Sequence, residues 1–110
     1  MGREIVLKLM AEYQAFPVWR RDCRNSSMVD PHSLPIQEDL LTALWQWSRD
    51  YEDIMVANGY EWPSENVRRT WQRRGETLWH ELRSSLPLKY RLGLNDERTG
   101  EIVWSLTSET

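Results

Sequence analysis

The chain has 110 residues, a formal net charge of -3 and a single cysteine, Cys23. That length suits one domain over residues 1–110. No apolar run approaches the roughly 20 residues that span a bilayer, and one cysteine excludes an intramolecular disulfide. The N-terminus shows no basic, apolar and small-residue succession of a secretory signal, so a cytoplasmic protein is expected. A content of 40% hydrophobic and 28% charged residues is ordinary, but seven Trp against one Phe puts most of the large aromatic volume on tryptophan.

From residue 4 to 13 the chain alternates: Ile5, Leu7, Leu9, Ala11 and Tyr13 point one way, Glu4, Lys8 and Glu12 the other. Period two predicts a half-buried strand. Residues 16–37 read as a long irregular connection, broken by Pro17, Pro31 and Pro35 and carrying Trp19-Arg20-Arg21.

Residues 35–86 are two amphipathic helices. Leu40, Leu44, Trp47, Tyr51 and Ile54 form one stripe, and Val67, Trp71, Leu78 and Leu82 another, with Gly75 inside it. Gly59 closes the first helix and Ser64 caps the second. Gly75 costs roughly 1 kcal/mol in mid-helix, and close helix packing is its simplest compensation. The first helix carries Glu38, Asp39, Asp50, Glu52 and Asp53 against Arg49; the second carries Arg68, Arg69, Arg73, Arg74 and Arg83 against three glutamates. Opposite signs favour pairing of the helices, and leave either able to present a charged face.

Residues 88–106 read as a hairpin with Gly100 at the positive-φ turn position. Tyr90, Leu92, Leu94, Ile102, Trp104 and Leu106 are expected inward. The order β-α-α-β-β predicts a two-layer α+β domain, an antiparallel helix pair on a three-stranded, mainly antiparallel sheet. The uncovered sheet face would show Lys8, Arg91, Glu101, Val103 and Ser105, with Val6 and Met10.

Few residues carry chemistry. Cys23 and His32 lack a third orienting group, and nothing in the sequence fixes their separation. The pool Cys23, His32 and His80 has no metal-ligand spacing, so neither a cofactor nor an enzyme is expected. A binding function is better supported, because Trp, Tyr and Arg dominate interface hot spots. Trp45, Trp47, Trp71, Trp79 and Trp104 fit helical or strand periods and belong to the core by default. Trp19 and Trp62 fall outside those periods and are the expected exposed anchors. With Arg20, Arg21 and Tyr60 they would form a composite surface if the long loop and the interhelical corner share one end. Asp50, Glu52 and Asp53 would face a basic partner. The alternative is an RNA- or DNA-binding domain using Arg68, Arg69, Arg73 and Arg74, disfavoured by the acidic net charge and the glutamates interleaved among them.

The run Leu7-Lys8-Leu9-Met10-Ala11-Glu12-Tyr13 followed by Pro17-Val18-Trp19, with Leu34-Pro35, Leu40, Leu44, Trp47, Tyr51, Pro63-Ser64, Gly75 and Leu82, resembles a group of small uncharacterised bacterial α+β proteins. In size and in lacking a catalytic signature the chain is also similar to the immunity proteins encoded beside bacterial toxins. The second likeness implies another protein as partner and action by occlusion. Neither resemblance carries over a catalytic residue.

Overall fold

The computed structural model describes residues 5–21 and 26–104. The elements run β1 (Ile5–Leu9), β2 (Val18–Arg21), β3 (Ser26–Met28), a 3-10 turn (Pro31–Ser33), α1 (Glu38–Ala57), α2 (Glu65–Ser85), β4 (Tyr90–Asn95) and β5 (Ile102–Trp104). Two helices pack on a five-stranded mixed sheet of order β3-β2-β1-β4-β5.

The α+β class is as read from the sequence, and the sheet is not. Two of its strands lie inside the stretch expected to be an irregular connection. β2 is four residues long and bounded by Pro17, and β3 is polar, so neither offers enough alternation to be recognised. The centre of the sheet is parallel rather than antiparallel: Ile5 pairs with Tyr90, Leu7 with Leu92 and Leu9 with Leu94. The link after β3 explains this. Ser33 and Leu34 lie beside Ile5 and Tyr90, so the chain returns to the start of β1 before α1 begins. α1 then runs with β1, α2 runs back, and β4 enters in the direction of β1.

Leu7, Leu9, Val18, Leu92 and Leu94 meet Leu40, Leu44, Trp47, Trp71, Leu78, Trp79 and Leu82 in one core. Capping follows the sequence closely. The Ser64 hydroxyl accepts the Val67 N–H at 3.1 Å, and Gly59 takes φ +66° just past α1. Glu38 and Asp39 occupy the first turn of α1, where negative charge suits the helix dipole.

The helices are locked by a reciprocal tryptophan clasp. The Trp47 and Trp71 rings stack with centroids 4.2 Å apart and planes 6° from parallel. Trp47 Nε1 donates to the Trp71 carbonyl at 3.0 Å, and Trp71 Nε1 donates to the Trp47 carbonyl at 2.9 Å. Gly75 makes room: a Cβ there would sit 2.4 Å from Trp47 Cζ2. Both indole donors are thereby satisfied inside the core, as buried polar groups must be.

The hairpin forms, but β5 presents its other side. Gly93 pairs with Trp104 and Asn95 with Ile102, whereas Val103 pairs with Leu94. Ile102 and Trp104 therefore lie on the face away from the helices, over Gly93, where a Cβ would meet Ile102 Cγ2 at 2.5 Å. Val103 takes the helix-facing side of the sheet edge and stays exposed. The glycine decides the register, because its missing side chain leaves a hollow that Trp104 and Ile102 fill. Val6, Lys8, Met10 and Arg91 lie on the uncovered face by alternation, and Ser105 and Leu106 fall outside the described residues. Among the described residues no helix is long and apolar enough to cross a membrane.

Candidate partner-binding surface

An aromatic chain runs outward from the clasp. Trp71 meets Trp62 at 5.4 Å and Tyr51 at 5.2 Å, Tyr51 meets Tyr13 at 5.6 Å, and Tyr13 meets Tyr60 edge-on at 6.0 Å. Its outer end lies where the β1–β2 turn meets the interhelical corner. Tyr60 is 66% exposed and Tyr13 37%. Tyr60 also holds φ +65°, directly after Gly59. A bulky residue pays about 1–3 kcal/mol for such a backbone, and this one buries little in return. The ring stands outward on a corner closed by the Tyr60 N–H bond to the Met55 carbonyl at 2.6 Å.

Carboxylates surround this end. Glu12, Asp53 and Glu61 are exposed, and Glu52 is half-buried. Glu52 accepts the Gln14 N–H at 3.0 Å, pinning the β1–β2 turn to α1, where Gln14 itself has φ +54°. Beside them Glu97 is half-buried, with its carboxyl accepting from the Tyr51 hydroxyl. Burial pushes the Glu97 carboxyl above the usual carboxylate range, opposed by that hydrogen bond and reinforced by Glu12. Burial, followed by the Glu97 charge, likewise raises the Tyr51 hydroxyl. Among the described residues no cluster of His, Cys, Asp and Glu could hold a metal ion.

Beside this end lies a groove of about 410 Å³ between the solvent sides of α1 and α2. Asp50, Asp53 and Ile54 line it from α1, and Asn66, Val67, Thr70, Trp71 and Arg74 from α2. The Asp50 carboxylate takes Arg74 Nη1 at 2.7 Å and Gln46 Nε2 at 2.9 Å. Asp53, one helical turn further, makes no such pair among the described residues.

The residues singled out from the sequence are scattered by the fold. Trp19 sits opposite Lys8 on the uncovered sheet face, with its Nε1 donating to the Met10 carbonyl at 3.0 Å. Arg21 follows it on that face, while Arg20 pairs with Leu7 on the other side of the sheet. Trp62 is half-buried against Tyr51 and Trp71, so it plugs the edge of the core. The loop and the corner therefore do not form one aromatic–arginine surface. Trp45, expected in the core, is 38% exposed at the rim, with its ring against Phe16. Tyr60 and Asp53 remain open, and Tyr13 and Glu12, counted as ends of a strand, join them.

Of the second-helix arginines Arg68 is buried, and Arg69, Arg73 and Arg74 are exposed. Arg68 is buried and bound bidentately to Glu65, at 3.0 and 2.6 Å. Arg69 lies 4.0 Å from the same carboxylate, and Arg74 is held by Asp50. Of the four, Arg73 has no acidic partner among the described residues, and Arg68, Arg69 and Arg73 line one cleft together with Arg98, Glu65, Glu76 and Asp96. His32 is exposed in the 3-10 turn, and Cys23 lies outside the described residues.

A family model described as Serratia CdiI immunity protein-like matches residues 5–97, from the first residue of β1 to the turn after β4. No individual curated protein matches the chain. The match speaks for the likeness to toxin-immunity proteins, and not for the group marked by the Pro-x-Trp element. With β1, both helices and the parallel β4 all inside the matched span, the chain belongs to the Serratia CdiI immunity protein-like family.

Proposed function

We propose that the protein neutralises a toxin in the cytoplasm by binding it stoichiometrically and covering its working surface, without catalysing a reaction. Membership of an immunity-protein family supplies the partner class. The observation that carries the location is Tyr60, held out in a strained backbone beside Tyr13 within a ring of carboxylates. Tyrosine offers large contact area at small entropic cost, and such residues anchor interfaces. Glu12, Asp53 and Glu61 around them favour a basic partner and speed its approach. Trp19, Trp62, Asp50 and Glu52 are the weaker candidates, because each already serves an intramolecular contact.

The test begins with capture from native cells on the immobilised protein, in nuclease-treated and untreated halves. One protein retained equally in both halves is expected, and its expression should arrest growth until this chain is co-expressed at an equal amount. Tyr60→Asn keeps a residue tolerant of positive φ, so its melting temperature should stay close to wild type while affinity for the captured toxin falls about tenfold or more. Retention that vanishes with nuclease would return the nucleic-acid reading, and unchanged affinity of Tyr60→Asn would move the interface elsewhere.

A further inference from the structure

We infer that the groove between α1 and α2 is a receptor for an arginine side chain presented by a partner protein. That the partner is a toxin rests on the binding function proposed above; the chemistry of the groove does not. Its volume of about 410 Å³ lies within the range of ordinary ligand clefts. Ile54 and Val67 give it half-buried apolar walls, and the otherwise buried Trp71 forms part of the lining. Such walls suit the aliphatic stem of a long cationic side chain.

Charge selects the head group. The two carboxylates that line the groove face one cation, Arg74, and that cation is spent on Asp50. Asp53 is left as an acceptor with no partner among the described residues, one turn along the same helix face. Asp50 is engaged by Arg74 and Gln46, so Asp53 is the carboxylate left to an incoming group. The Asn66 side-chain oxygen and the Thr70 hydroxyl provide further acceptors on the opposite wall. A planar guanidinium, with five donors and weaker hydration than an ammonium, uses several acceptors beside an apolar wall better than lysine does. An anion would meet Asp53 with no unpaired cation to hold it.

The test uses N-acetyl-L-arginine amide titrated into the ¹⁵N-labelled full chain, followed by amide chemical shifts. Saturable shifts are expected at Asp53, Ile54, Val67 and Thr70 and at the Trp71 indole N–H. The neutral isostere N-acetyl-citrulline amide should give none of them. Asp53→Asn should weaken the arginine amide about tenfold, as removal of a charge-assisted pair does. Thr70→Trp should abolish binding by filling the groove, with the fold checked by the dispersion of the remaining resonances. Shifts that do not saturate, equal shifts with citrulline, or unchanged binding by Asp53→Asn would overturn the assignment. The toxin capture is read separately: a chain that captures its toxin yet ignores arginine amide loses the groove and keeps the proposed function. A chain that binds arginine amide through Asp53 and captures no toxin keeps the groove and loses that function.

Discussion

Gly75 is the position at which a single methyl group would be most costly. Mid-helix glycine to alanine ordinarily stabilises a helix by about 1 kcal/mol. Here the added Cβ would fall 2.4 Å from Trp47 Cζ2, and the indole could retreat only by giving up its 3.0 Å bond to the Trp71 carbonyl. Overpacking of this kind costs about 1–3 kcal/mol, so Gly75→Ala should destabilise by about 1 kcal/mol net in denaturant unfolding. A stabilised variant would show that the clasp is looser than its geometry. Glu97 gives a second residue-scale expectation. Its carboxyl is raised in the fold, first by burial. A raised carboxyl makes the native state bind the proton more tightly than the unfolded chain does. The contribution is therefore fully present below the unfolded value near 4.5 and is lost as pH rises through the folded value. Glu97→Gln, which keeps an acceptor for Tyr51, should raise the melting temperature at pH 7, and the gain should shrink toward pH 4. Glu65 has the opposite sign: the Arg68 hydrogen bond lowers it, so its contribution is present at neutral pH and is lost on acidification through its folded value.

At the scale of elements, the helices were legible because each announces itself several times over. The apolar stripes, Gly59 after α1, Ser64 before α2 and Pro87 beyond it all agree, and agreement across levels is what specifies a fold. β2 and β3 speak once and briefly, with seven residues between them. The inward face of β5 was misread because alternation gives the period of a strand and not its phase; Gly93 on the neighbouring strand sets that phase. The opposite charges of the helices meet in the Asp50–Arg74 bridge at 2.7 Å. Both groups are partly exposed, and such pairs contribute about 0.2–1 kcal/mol. A double-mutant cycle of Asp50→Ala with Arg74→Ala should return a coupling in that range, falling with added salt. A larger, salt-insensitive value would mean that the bridge organises the helix pair rather than trimming its surface.

For the whole molecule, the likeness to immunity proteins was legible, and the way exposed residues come together was legible only in part. Seven tryptophans suggested a surface with aromatic anchors, yet Trp47, Trp71 and Trp79 are consumed by the core and Trp62 by its edge. Spacing within one element cannot reveal that Tyr13 and Tyr60, 47 positions apart in the numbering, share a ring contact. Asp53 differs from Asp50 only in what stands across the groove, which no local pattern records.

The parallel pairing of β1 with β4 has a temporal consequence. Ile5 is made well before its partner Tyr90, which lies far along the chain. The central ladder closes over some eighty intervening residues, and such distant pairing makes folding slow. Until β4 emerges, β1 has only β2 beside it, and Leu7 and Leu9 lack the neighbour that completes the sheet. The sheet under the two helices is therefore completed only when residues 90–94 become available, whatever has formed before them.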